Sequence, residues 1–178
     1  KNKFLYTIEF YPEEGKYHFD GHRDCKFVCH PNETKKKYKG ICPVCRKSLV
    51  IGVMNRVIEL ADRTENEARA ALRIPYRSLV PLPEIIADTL QKGVATKAVE
   101  VEYKNLIEKL GTEFYILMEA SLQDIERASS AHIALAIDRV RKGNIHIEPG
   151  YDGEFGIVKV FKDNENRGTP AQASLVLE

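Results

Sequence analysis

No run of apolar residues approaches the roughly 18 needed to cross a bilayer, so the sequence contains no membrane-spanning helix. The opening Lys1-Asn2-Lys3-Phe4 has no Met and leads into no apolar core of a secretory leader. It reads as a cut inside a longer chain, and the closing Leu177-Glu178 as a cloning remnant or a native end. Neither sign of charge prevails, with 27 Lys and Arg against 26 Asp and Glu, a net +1. There is no internal repeat and no low-complexity tract. A glycine-rich phosphate loop, Gly-x-Ser-x-Gly and His-Glu-x-x-His are all missing, which removes the familiar nucleotide, esterase and zinc-protease signatures. Cysteine is scarce too. The four that exist all fall between positions 25 and 45.

That clustering is the most informative feature. Cys25-x3-Cys29 is followed, after twelve intervening residues, by Cys42-Pro-Val-Cys45. Lacking an export signal, the chain is expected in a reducing, cytoplasmic setting, where grouped cysteines are metal ligands rather than disulfides. Two tight loops can aim four sulfurs at one Zn²⁺, and Pro43 restricts φ in the second. The expected ligands are Cys25, Cys29, Cys42 and Cys45, with His22 or His30 able to replace one sulfur. Iron in the same geometry stays open, as do a disulfide pair and a redox-active Cys42/Cys45. Four protein ligands leave no open position, so the metal is structural. Large aliphatic residues are few between Lys16 and Lys47, and the metal is expected to order that stretch.

The same stretch carries nine basic and three acidic residues, +6, which leaves −5 for the rest of the chain. A cationic end on an acidic body suits a polyanion. Arg23, Lys35, Lys36, Lys37, Lys39, Arg46 and Lys47 are the candidate DNA-binding residues, each contact with a phosphate adding salt dependence. The alternative is a solvated loop that binds nothing. Tyr17, Phe19 and Phe27 are nearby candidates for stacking on bases. His18, Asp20 and His22 alternate as on one strand face, a weaker hint of a second, catalytic metal. His132 and His146 are isolated and read as structural.

The rest of the chain predicts an α+β fold. Strands are expected over 4–11, 16–22 and 49–51, and a helix over 53–63, with Val53, Val57, Leu60 and Ala61 as its apolar face; 65–72 prolongs it after a break. Pro75, Pro81 and Pro83 mark a connection. Helices follow over 83–92, from a cap at Thr96 to Gly111, from a Ser121/Asp124 capping box to 128, and through Ile133, Ile137 and Val140 to Gly143. Residues 113–118 fit either helix or strand. Strands at 144–148 and 156–161 form a hairpin around Tyr151-Asp152-Gly153. The expected division is a small β-rich zinc knuckle (1–52), a mostly helical region ending in the hairpin (53–161), and a loose tail (162–178).

Several stretches together resemble one known family. They are 8–23 (Ile8 to Arg23), the cysteine cluster, 51–63 (Ile51 to Arg63), 79–86 (Leu79 to Ile86) and 149–156 (Pro149 to Gly156). In combination they are similar to the C-terminal part of endonuclease Q and its relatives, some of which are labelled UvrD-like helicases. The resemblance runs to about Phe161. It implies a catalytic PHP metallo-phosphoesterase domain upstream, which nicks DNA 5′ to deaminated bases such as uracil and hypoxanthine and at abasic sites. This chain then supplies the zinc-binding and helical portion, holds DNA, and has no catalytic residue of its own. By the same resemblance Cys25, Cys29, Cys42 and Cys45 carry over as zinc ligands, and Arg46 stands where such knuckles often have glycine. Two other readings are a protein-interaction module recruiting a repair or replication partner, with zinc as scaffold only, and an accessory domain of a helicase.

Overall fold

The computed structural model describes residues 3–71 and 74–162. The chain is α+β and divides into two units, Lys1–Ser78 with Ile147–Ile157, and Leu79–His146 with the chain from Val158 onward. The division falls after Ser78 rather than after Gly52, because the helices that follow the cysteine region group with it. The loose tail and terminal remnant expected beyond Lys162 lie outside the described residues.

The first unit is built from very short elements. Strand β1 (Thr7–Glu9) is only the centre of the predicted 4–11 strand. Strands β2 (Asp20–His22) and β3 (Phe27–Cys29) form an antiparallel pair in which Asp20 faces Cys29 and His22 faces Phe27. Helical turn α1 (Pro31–Glu33) runs into a wider π-type turn over Thr34–Tyr38. Helix α2 (Val53–Leu60) and the shorter α3 (Glu65–Ala70) follow. A reciprocal capping box starts α3, with Thr64 Oγ1 accepting from the Glu67 N–H and the Glu67 carboxylate accepting from the Thr64 N–H. Strand β4 (Tyr76–Ser78) returns to pair with β1 in parallel, Ile8 opposite Arg77. The 49–51 segment forms a single bridge, Val50 to Gly21, rather than a strand.

The apolar repeat that predicts α2 is real as a period, but it does not face a core. Val53, Val57 and Leu60 are 61%, 54% and 65% exposed. What anchors α2 is polar. Fully buried Asp20 accepts the Gly52 N–H (2.7 Å) and the Asn55 amide (3.0 Å). Gly52 must be glycine there, since a Cβ would lie 2.5 Å from the His18 and Phe19 carbonyl oxygens.

The second unit holds the larger core. Helices α4 (Leu82–Leu90), α5 (Lys97–Leu110), α6 (Glu113–Met118), α7 (Leu122–Ala128) and α8 (Ala131–Arg141) bury Leu82, Ile85, Ile86, Leu106, Ile116, Ile125, Ile133 and Ile137. Residues 113–118 are therefore helical. Pro83 sits in the first turn of α4, which ends at left-handed Gln91, two residues before the expected Gly93. Ser121 caps α7 as expected, accepting from the Asp124 N–H at 3.1 Å. Thr96 sits at the α5 cap position, yet its hydroxyl donates back to the Gly93 carbonyl instead of capping forward. Arg141 at the end of α8 donates to the Ile116, Leu117 and Ala120 carbonyls and so closes α6.

Strands β5 (His146–Glu148) and β6 (Ile157–Lys159) pair as the expected C-terminal hairpin. Between them the 149–156 segment belongs to the first unit. Among the described residues no helix is long and apolar enough to cross a membrane.

Candidate metal centre

Two turns of matching design converge in the first unit. In the first, strand β2 ends at His22, a 3-10 turn carries Arg23–Cys25, and Lys26 follows with a left-handed φ of 49°. In the second, Cys42-Pro-Val-Cys45 closes with the Arg46 N–H donating to the Cys42 carbonyl (3.0 Å), and Arg46 itself has φ 65°. The Cys42 N–H donates to the Lys47 carbonyl at 2.8 Å, and Leu49 to Gly40 at 2.8 Å, so the second turn stands on a short antiparallel stem.

The donor atoms of His22, Cys25, Cys42 and Cys45 all lie within 4.8 Å of one another. Cys45 Sγ is 3.9 Å from His22 Nδ1 and 4.0 Å from Nε2, so either imidazole nitrogen can serve. Zn–S bonds of about 2.3 Å and Zn–N bonds of about 2.0 Å fit inside such a group after a small contraction. The chemistry of the set, three thiols and one imidazole, is that of a closed tetrahedral zinc site. Burial pushes the Cys25 thiol up to about 12, aided by the Cys45 and Cys42 thiols beside it. Burial also acts upward on Cys42, but the Cys45 and Val44 N–H groups and the neighbouring thiols outweigh it, and its pKa is lowered.

Cys29 stands apart from this group. It ends β3, buried, with Sγ 3.0 Å from Thr34 Oγ1, and with Cys42 and Leu49 it forms the small core beneath the turns. Phe27, Tyr38 and Cys25 pack on that core. The three cysteines Cys25, Cys42 and Cys45 are brought together with His22. The sequence does carry the signal for this. His22-x2-Cys25 has the same spacing as Cys42-x2-Cys45, and a basic residue follows each pair.

The alternating His18, Asp20 and His22 do not form a second metal group among the described residues. Asp20 is spent on Gly52 and Asn55, His18 is buried and stacked on Phe19 (5.1 Å), and only His22 joins the cysteines. His30 accepts from the Asn32 N–H and meets Phe19 edge-on at 5.2 Å.

Basic residues surround the two turns. Lys35, Lys36 and Lys37 project from the 34–38 turn, Lys39 follows it with φ 51°, and Arg46 and Lys47 close the second turn. All six are exposed, and among the described residues none forms an ion pair. Lys37 lies over the Tyr38 ring at 5.2 Å. Arg23 differs, its guanidinium being 3.8 Å from Glu154. Of the aromatic candidates, Phe27 packs edge-on against Tyr38 (5.0 Å) and Phe19 lies between His18 and His30, whereas Tyr17 stays 48% exposed.

Residues 81–144 match the family described as the MJ0043 C-terminal domain. The uncharacterized protein MJ0043 of Methanocaldococcus jannaschii is 39% identical over 160 residues, 87% of this chain and 19% of that protein. The uncharacterized protein YqxK of Bacillus subtilis is 28% identical over 83% of this chain and 34% of its own length. The crystal structure of the lesion-specific endonuclease PfuEndoQ from Pyrococcus furiosus superposes with a TM-score of 0.74 at 30% identity, covering 87% of this chain and 38% of that one. Endonuclease Q in complex with a 27-mer duplex substrate, an abasic lesion at its active site, superposes at 0.69 with the same identity and coverage. The chain spans well under half of each of these relatives. Over nearly all its length, the chain corresponds to the C-terminal region of endonuclease Q-like proteins.

Proposed function

We propose that this chain is the zinc-pinned, DNA-engaging accessory region of a lesion-specific DNA endonuclease. The observation that carries the reading is its likeness, over 87% of its length, to an endonuclease solved on a lesion-bearing duplex. The zinc ligands in this reading are Cys25, Cys42, Cys45 and His22, with Cys29 packed beneath them. When bound, zinc supplies a structural crosslink and leaves no position for substrate. Three thiolates with Zn²⁺ add −1 to the +6 of residues 16–47, one positive charge more than four thiolates would leave. Arg23, Lys35, Lys36, Lys37, Lys39, Arg46 and Lys47 then meet phosphates, while bond cleavage belongs to a PHP-type domain elsewhere in the parent protein. The parent nicks 5′ to deaminated or missing bases. Extruding such a nucleotide costs a few kcal/mol of stacking, which backbone contacts from a cationic module offset.

The test is binding of the zinc-loaded chain to a labelled duplex with one abasic position. Affinity should fall steeply between about 50 and 500 mM salt, and Lys35→Glu/Lys36→Glu/Lys37→Glu should flatten that slope by about three contacts. Equal affinity at both salts would remove the phosphate contacts and with them the reading. The exposed Val53, Val57 and Leu60 stripe on α2 favours a second role, contact with another protein or domain. An unchanged DNA affinity in the triple variant would leave that role alone standing.

A further inference from the structure

The 149–156 segment presents a large aromatic side chain to solvent on a rigid mount. Phe155 is 70% exposed. The backbone around it has almost no freedom. Gly150 N–H donates to Glu13 O (2.8 Å), Gly153 N–H to Lys16 O (2.8 Å) and Gly156 N–H to Glu14 O (3.0 Å). Tyr151 and Glu154 exchange two backbone bonds, with Asp152 and Gly153 both at positive φ. A Cβ on Gly156 would fall 2.0 Å from the Glu13 carbonyl oxygen, and one on Gly21 would fall 2.3 Å from the Tyr151 ring. The exposed ring thus belongs to a turn closed on every side by glycine contacts.

Its surroundings are aromatic and cationic. Lys16 Nζ lies 5.1 Å from the Phe155 centroid. The Tyr17 hydroxyl and the Arg23 guanidinium both border Gly153. The turn's own carboxylates are engaged, Asp152 by the Arg23 N–H (2.6 Å) and Glu154 by the Arg23 guanidinium. Arg23 sits between His22 and Cys25, so the candidate metal centre and the turn share one short segment.

We propose that Phe155, flanked by Tyr17 and Lys16, stacks into the gap left in a nucleic-acid strand where a base is missing or displaced. The inference rests on the DNA reading above and adds a residue that senses the lesion through its missing stack. A ring carried on a backbone already held in place costs little backbone freedom on inserting, and aromatic stacking tolerates either neighbouring base.

The chain has no tryptophan, so Phe155→Trp places a unique fluorophore at this position. Emission from the full zinc-loaded Phe155→Trp chain is followed as a duplex with one abasic site is added, and as a fully paired duplex is added, with anisotropy of the labelled duplex reporting binding. Strong quenching by the abasic duplex and weak quenching by the paired one is expected. Phe155→Ala should lose about tenfold in affinity for the abasic duplex alone, with the salt slope unchanged and Phe155→Tyr restoring it. Emission that stays constant while anisotropy shows binding overturns the proposal and spares the DNA reading. An equal loss for both duplexes in Phe155→Ala overturns it as well. Failure of both duplexes to bind the unsubstituted chain at low salt removes both readings.

Discussion

Lys26 and Arg46 occupy equivalent positions, each one residue beyond the second metal-ligand candidate of a His/Cys-x2-Cys turn, and each is left-handed, with φ of 49° and 65°. Both turns therefore end in the same backbone conformation, closed by the Lys26 N–H on the Arg23 carbonyl (2.9 Å) in the first and by the Arg46 N–H on the Cys42 carbonyl (3.0 Å) in the second. Cys29, four residues past the first turn, ends strand β3 instead.

Under the proposed function, the zinc ligands are His22, Cys25, Cys42 and Cys45. Cys29→Ala should keep about one zinc per chain, because its sulfur only packs and bonds to Thr34. Cys42→Ser or His22→Ala should weaken zinc by roughly 100-fold or more, a quarter of the ~10–16 kcal/mol typical of structural sites. Metal analysis of the purified variants distinguishes them. Chelation should broaden the amide spectrum of the first unit and leave the second unit's core dispersed.

A left-handed non-glycine residue costs about 1–2 kcal/mol. Arg46→Gly should therefore raise the stability of the first unit by about 0.5–1 kcal/mol, less than the full cost because glycine is freer when unfolded. Denaturant midpoints of the zinc-loaded proteins provide the comparison. The same change should lower DNA affinity at low salt by one phosphate contact.

Gly21→Ala tests the seat of the 149–156 segment. The new methyl would meet the Tyr151 ring at 2.3 Å and the Phe27 carbonyl oxygen at 2.7 Å. Relieving both requires β3 or the turn to move, a cost of about 3 kcal/mol or more. Gly93→Ala is the control, since its nearest neighbour is 3.7 Å away and its φ is ordinary. Thermal unfolding should shift sharply for the first and by a degree or two at most for the second.

In the second unit, Arg141 satisfies three carbonyls at the end of α6. Burial lowers its pKa, but it stays charged at any working pH. Arg141→Met keeps the apolar stem and removes the donors, and should cost about 3 kcal/mol. Zinc content should be unchanged, which confines the effect to the helical unit.

Much of this protein is decided by local chemistry along the chain. The helices of the second unit could be anticipated because their apolar residues recur at helical spacing and their ends carry Pro83, Ser121, Gly111 and Gly143. The C-terminal hairpin was legible from alternating residues on either side of the Tyr151-Asp152-Gly153 turn signal. A candidate metal site was legible in the cysteine spacing, since two short turns are enough to bring sulfurs together. Tertiary structure alone decided the rest. Cys29 and His22 are both within reach in sequence, and only the β2–β3 register, which puts Cys29 opposite buried Asp20, selects between them. The α2 stripe has a helical period whether or not a core exists to meet it; the Asp20 contacts turn it outward. The return of 149–156 to the first unit was equally hidden. It depends on glycines at distant positions leaving room for one another, a complementarity of shape that no local pattern encodes.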